Sequence, residues 1–231
     1  MHVFNNMEGP TGTGYSLKGK RLEFGMGGKW YKADSLGYEG AVEYAVSKIL
    51  KHSNIKDYVS YQLEIINYNG DTFNGCVSID FLQLGQQLVT AENLYEMKYK
   101  KFVEERLEAL PLQNRIEKFV DDVKNITRLD DFGKYLTFLL ELNIYTLNVN
   151  RNFFDISLIR KEDGCYLYCP IFNNETAYLS DTQNKYPLEK NINILIAEVR
   201  NKIYSRICEI DEHQKIIHPE FCWDDVRTEC F

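Results

Sequence analysis

An α+β fold is what this sequence predicts: a small mixed N-terminal part of strands around one helix, then a mainly helical part carrying one short hairpin. Three observations predict it. Before residue 90 the apolar residues mostly alternate with a period of two, apart from one helical stretch. From residue 91 the pattern lengthens to that of amphipathic helices. Between residues 155 and 172 the strand pattern returns once, around a turn.

Taken in order, residues 21–24 and 29–33 read as strands on either side of GMGG, a tight connection. GYEGAVEYAVSKILKHS follows, with Val42, Ala45, Val46, Ile49 and Leu50 on one helical face. The runs YVSYQLEIINY (58–68) and TFNGCVSIDFL (72–82) are joined by NGD, a hairpin turn. Helices are predicted over 91–109, 113–125 and 130–145. Pro111 separates the first two, and Asp130 is a cap for the third. DISLIRK (155–161) and CYLYCPIF (165–172) form a hairpin through EDG. A last helix over 189–207 directs Ile192, Ile196, Val199, Ile203 and Ile207 inward. These elements predict two domains, 1–88 and 89–231.

Composition narrows the function classes. The 231 residues are 44% hydrophobic and 13% aromatic, enough to bury a core, so disorder is excluded. A net charge of −7 argues against direct nucleic-acid binding, which Lys and Arg drive, and otherwise serves solubility. The six cysteines form no CxxC pair, and the four histidines complete no zinc-ligand spacing. MHVFNNMEGP lacks the regions of a signal peptide, and no apolar run spans a membrane. Reduced thiols and a cytoplasmic location are the expectation. Cys165 and Cys169, on one strand face, are expected to pack rather than react.

The chemistry concentrates in residues 135–181. An apolar helix runs into the polar cluster Asn148-Val149-Asn150-Arg151-Asn152, and the hairpin that follows returns to Pro170-Ile171-Phe172-Asn173. A hairpin brings its two strand ends together, which suits a site needing two metal or phosphate ligands. Taken singly, these residues have plainer uses. The asparagines serve as loop polar groups, and Arg151 as a partner for a surface carboxylate. Lys32 serves as a solvated strand lysine, and Glu43 as a position at the edge of a helical face.

This stretch resembles the HipA-like kinases, a branch of the protein-kinase superfamily whose catalytic loop reads Asn-x-Asp-Arg-His-x-x-Asn, followed after a hairpin by Pro-x-x-Asp. Asn148, Arg151 and Pro170 stand at matching places, with Phe172 where an apolar residue is usual. Glu43, followed by AVSKILKHSNI, looks like the helix bearing the ion-pair Glu, and Lys32 stands where the phosphate-binding Lys would be. CVSIDFL and LVTAENLY look like the segment leading to the interlobe hinge. The resemblance implies a two-lobed protein-kinase-like fold, ATP and Mg²⁺ as cofactors, and a protein substrate or regulatory partner. It places Asn150, Arg151 and Asp155 in the catalytic loop and Asp155 with Asn173 at the metal. Lys32, Glu43, Gly12 and Gly14 fall at the nucleotide, with GMGG (25–28) as the alternative glycine loop. Lys32 and Glu43 are then expected within salt-bridge distance of each other, with Arg151, Asp155 and Asn173 on the facing wall.

The departures bear on activity. Asn150 replaces the catalytic Asp and Asn152 the His, while Asp155 and Asn173 exchange the Asn and Asp of the two metal positions. An amide oxygen is too weakly basic to take a hydroxyl proton. One carboxylate and one amide oxygen still suit a Mg²⁺ that keeps several waters. Two function classes follow: a kinase-like protein with impaired phosphotransfer, and a pseudokinase acting as a regulatory or protein-binding module.

Overall fold

The computed structural model describes residues 2–4 and 22–207. Its contacts divide the chain into two compact units. Of the described residues, the first holds those up to Phe81 together with Pro170–Leu195, and the second holds Leu82–Cys169 with 196–207. The segment from Pro170 thus groups with the N-terminal strands rather than with the hairpin that delivers it.

The first unit is a sheet covered by one helix. Strands β1 (His2–Phe4), β2 (Glu23–Met26), β3 (Lys29–Ala33), β4 (Tyr61–Tyr68) and β5 (Asp71–Ile79) assemble in the order β1-β4-β5-β3-β2. β1, parallel to β4, is a strand that sequence patterning does not predict. The two tight turns are built as their residues dictate. Gly27 and Gly28 take φ of 59° and 71° between β2 and β3, and Asn69 and Gly70 take 54° and 93° between β4 and β5. Positive φ at two central residues matches the twist of a hairpin, and Gly and Asn tolerate it. GMGG is therefore a hairpin turn.

Helix α1 (Glu39–Lys51) packs on β3, β4 and β5. Val42, Val46, Ile49 and Leu50 are buried, as their spacing predicts, and so are Glu43 and Ser47. The helix lies close to the sheet because Gly40 meets Gly75: a Cβ on Gly40 would fall 2.5 Å from the Gly75 backbone. That approach brings the next turn of the helix, with Glu43, over β3. Residues 170–181 join this unit through a Tyr58–Ile171 bridge, a Gly37–Asp181 bridge and the Tyr38 hydroxyl, which donates to the Tyr178 carbonyl at 2.9 Å.

The second unit combines a small sheet with helices. β6 (Gln87–Thr90), β7 (Ser157–Arg160) and β8 (Tyr166–Tyr168) form an antiparallel sheet in that order. The 91–109 helix expected from sequence is two helices, α2 (Ala91–Tyr99) and α3 (Val103–Leu107). Lys100 turns the chain at φ 58°, and buried Glu92 accepts the Val103 N–H at 2.9 Å to cap α3. α4 (Leu112–Thr127) and α5 (Phe132–Tyr145) follow. The residue before α5 is Asp131 rather than Asp130, and its carboxylate pairs with Lys134 at 2.9 Å. Phe119 anchors the core against Tyr95, Phe132 and Phe153.

Beside that core lies a buried ionic cluster. Asp122 accepts from Arg106 Nε at 3.0 Å, Lys118 Nζ at 2.7 Å, and the Tyr99 and Tyr95 hydroxyls at 3.1 and 3.3 Å. On the last helix, α6 (Ile192–Ile207), Val199 is buried as expected and Ile196 half-buried, but Ile192 is exposed and Leu195 is buried in its place. Ile203 and Ile207 lie beyond the described side chains. No described helix is long and apolar enough to cross a membrane. Cys76 and Cys169 are buried and Cys165 is exposed.

Candidate functional site

Lys32 sits fourth in β3, directly opposite Cys76 of β5, with its side chain on the face that α1 covers. Its ammonium donates to three acceptors: Glu43 Oε1 at 2.7 Å, Asn173 Oδ1 at 3.2 Å and Glu175 Oε2 at 3.3 Å. An ammonium has three protons, so its donor capacity is matched. The Tyr61 ring centroid is 5.6 Å from the same nitrogen. Glu43 is pinned a second time, its Oε2 accepting the Asn174 N–H at 2.9 Å. Helix α1 and residues 173–175 are therefore joined through one glutamate.

Electrostatics follow from this packing. Burial pushes the Lys32 ammonium down, but Glu43, Tyr61, Glu175 and Glu23 together hold it well above its ordinary value. Burial, then the Glu43 charge, raises the Tyr61 phenol and the Cys76 thiol. Cys76 is thus a protonated packing residue rather than a nucleophile. Burial also raises Asp34, although the Gly40 N–H donates to it at 2.6 Å. A small cavity beside Lys32 has the acidic residues Glu23, Asp34, Glu39, Glu43 and Glu175 in its lining.

The loop 148–155 belongs to the second unit and has a different construction. Asn148 is buried and its Oδ1 accepts the Asn150 N–H at 3.2 Å, an Asx turn. Arg151 Nε donates to Asn143 Oδ1 at 2.9 Å, and its guanidinium also reaches the Asp155 carbonyl at 3.3 Å. Asp155 Oδ2 accepts the Asn152 N–H at 3.0 Å. Arg151 thus holds a side-chain amide and a main-chain carbonyl of its own unit.

Of the residues singled out in sequence, the structure brings Lys32, Glu43 and Asn173 together in the first unit, and Asn150, Arg151 and Asp155 in one loop of the second. Gly12 and Gly14 lie outside the described residues. Glu175 is the residue that sequence reasoning misses; the acid two places after Asn173, in NNET, is the signal that could have found it. Among the described residues, no group of three or more His, Cys, Asp or Glu is gathered to hold a metal ion.

Against known proteins, no family model and no curated protein matches this chain. Among solved structures, its fold is similar to a crystal structure of a Helicobacter pylori proinflammatory kinase, CtkA, with a TM-score of 0.53 and 12% sequence identity. The match covers 91% of this chain and 69% of that one. At that identity the likeness concerns the fold alone: the chain is α+β with a kinase-like fold.

Proposed function

We propose that this chain is a HipA-like, two-lobed kinase-like protein that binds ATP with Mg²⁺ and has impaired phosphotransfer. The observation that carries this reading is the buried Lys32–Glu43 pair at 2.7 Å, a strand lysine oriented by a carboxylate from the following helix. Such a lysine is the kinase's cation for the nucleotide phosphates, and its glutamate fixes where the ammonium points. The donor chemistry fits the metal as well. Mg²⁺ in such sites takes one or two protein oxygens plus phosphate oxygens and water. Asp155 would offer a carboxylate and Asn173 an amide oxygen. When bound, the metal supplies charge neutralisation along the phosphates.

Asn150 favours a second reading, a pseudokinase used as a regulatory or protein-binding module. Where a kinase places its proton acceptor, this chain has an amide that cannot take a proton near neutral pH. In that reading the cleft serves shape rather than chemistry, and only the first reading requires it to hold nucleotide.

A thermal-shift titration with ATP and Mg²⁺ separates the two. Binding stabilises the fold by about 2.7 kcal/mol at a hundredfold excess over Kd. The melting temperature should rise with ATP plus Mg²⁺ and rise less with ATP alone. A melting temperature unmoved by millimolar nucleotide, with or without metal, would overturn nucleotide binding.

A further inference from the structure

We infer that Glu175 is an internal competitor for the Lys32 ammonium, standing where the anionic group of a ligand must go. The inference rests on the nucleotide reading above and adds what sets access to that site. Of the three acceptors on Lys32, Glu43 is the fixed one. It lies on α1, makes the shortest contact at 2.7 Å, and has its other oxygen held by the Asn174 N–H. Glu175 makes the longest contact, 3.3 Å, and comes from a stretch outside regular secondary structure.

That stretch includes Asn173, Tyr178 and Leu179 at φ of 61°, 47° and 61°. Residues bearing a Cβ adopt such values at a cost, so tertiary packing rather than local preference holds this conformation. The charges point the same way. Glu43 and Glu175 both set a carboxylate against one buried ammonium. A phosphate brought to Lys32 would meet the Glu175 carboxylate unless Glu175 withdrew. A chain that binds only with Glu175 displaced has its apparent affinity reduced by the fraction of molecules in that state. The ligand class is therefore a nucleotide phosphate whose own charge a divalent cation offsets.

Calorimetric titration of the full chain with Mg-ATP and, separately, with adenosine tests this. Glu175→Gln removes the charge and keeps the shape, and should tighten Mg-ATP about tenfold, within the usual range of coupling between two events at one protein. Adenosine, which has no phosphate to compete, should bind both proteins equally. Glu175→Asp withdraws the carboxylate by one methylene and should give an intermediate gain. It carries the test by itself if the Gln variant does not fold. Wild-type binding that neither variant tightens would overturn the role of Glu175 and leave nucleotide binding standing. Equal tightening of adenosine would also overturn it, since the change would then be a general loosening. No binding of Mg-ATP by wild type or variants would overturn the nucleotide reading and this inference together.

Discussion

Each unit of the molecule buries one charge among groups of opposite charge, and the two clusters differ in how far those partners reach water. In the second unit the centre is Asp122, with a side chain 3% exposed, and its partners Arg106 and Lys118 are 30% and 42% exposed. Both side chains are partly open to water, and the Arg106 guanidinium also stacks over the Tyr99 ring at 3.7 Å. Their positive charge is thereby hydrated at little cost. In the first unit the centre is Lys32, and its partners Glu43 and Glu175 are 0% and 9% exposed. Here centre and partners are buried together. A charge cluster that relieves itself into water is explained by stability alone. One whose charged groups are all held away from water is the kind of arrangement found where a protein binds or reacts.

The comparison breaks most readily at Lys32. Lys32→Met keeps the stem and removes the ammonium, leaving Glu43 and Glu175 buried without their shared cation. Removing one partner of a buried ion pair typically costs about 3–5 kcal/mol. Urea denaturation should show a loss of that size. A loss below about 1 kcal/mol, the range of an exposed pair, would mean that the first cluster is hydrated after all.

A smaller effect is expected at Asp122, with a pH dependence that identifies it. Burial acts to raise this carboxyl, but hydrogen bonds and charge from Arg106 and Lys118 hold it below its ordinary range. The folded value is then lower than the unfolded one, about 3.9. Its contribution to stability is complete above the unfolded value and is lost as pH falls through the folded one. Asp122→Asn should cost about 2 kcal/mol at neutral pH, the scale of hydrogen bonds to a charged group. The gap from wild type should narrow below about pH 4, where the unfolded carboxyl begins to protonate. Denaturation at pH 7, 5 and 3 checks this, and a gap independent of pH would contradict it.

How much of this was legible in the sequence depends on the range of the interaction. Turns were legible because their residues act locally: Asn69-Gly70 and Gly164 take the positive φ that NGD and EDG foretell. The buried face of α1 followed from spacing, and a strand lysine near a helix glutamate is what the family resemblance supplies. The contact of Glu175 with Lys32 was not legible, since 143 residues separate them and no local preference marks such a pair. Nor was the break at Lys100, where the chain turns left-handed without Gly, Asn or Pro to announce it. On α6 periodicity found the helix, but at its start the choice of Ile192 over Leu195 put the wrong residue inward. A helical repeat does not say which neighbour it meets.

The smallest stability effect is expected in the 148–155 loop, and there the comparison becomes a test of function. Asn150 is half-buried, and its backbone N–H donates to Asn148 Oδ1 at 3.2 Å. Asn150→Asp preserves that N–H and nearly the side-chain shape, so stability should change by no more than about 0.5 kcal/mol. A loss approaching that of Lys32→Met would place the loop among the tightly built charge clusters and remove the contrast between the two regions. With folding unchanged, rate becomes the informative measurement. A positioned general base typically contributes about 10²–10⁴-fold. If only the base is missing, Asn150→Asp should gain ATP hydrolysis or autophosphorylation at saturating Mg²⁺ and ATP. Asp155→Ala added to it should abolish the gain, because Asp155 is the loop's remaining carboxylate for the metal. Nucleotide-bound protein that gains nothing from Asn150→Asp would favour the binding-module reading, in which the four exchanged positions retire the chemistry as a group. Wild-type activity that Asn150→Asp leaves unchanged and Asp155→Ala abolishes would instead assign the reacting carboxylate to Asp155.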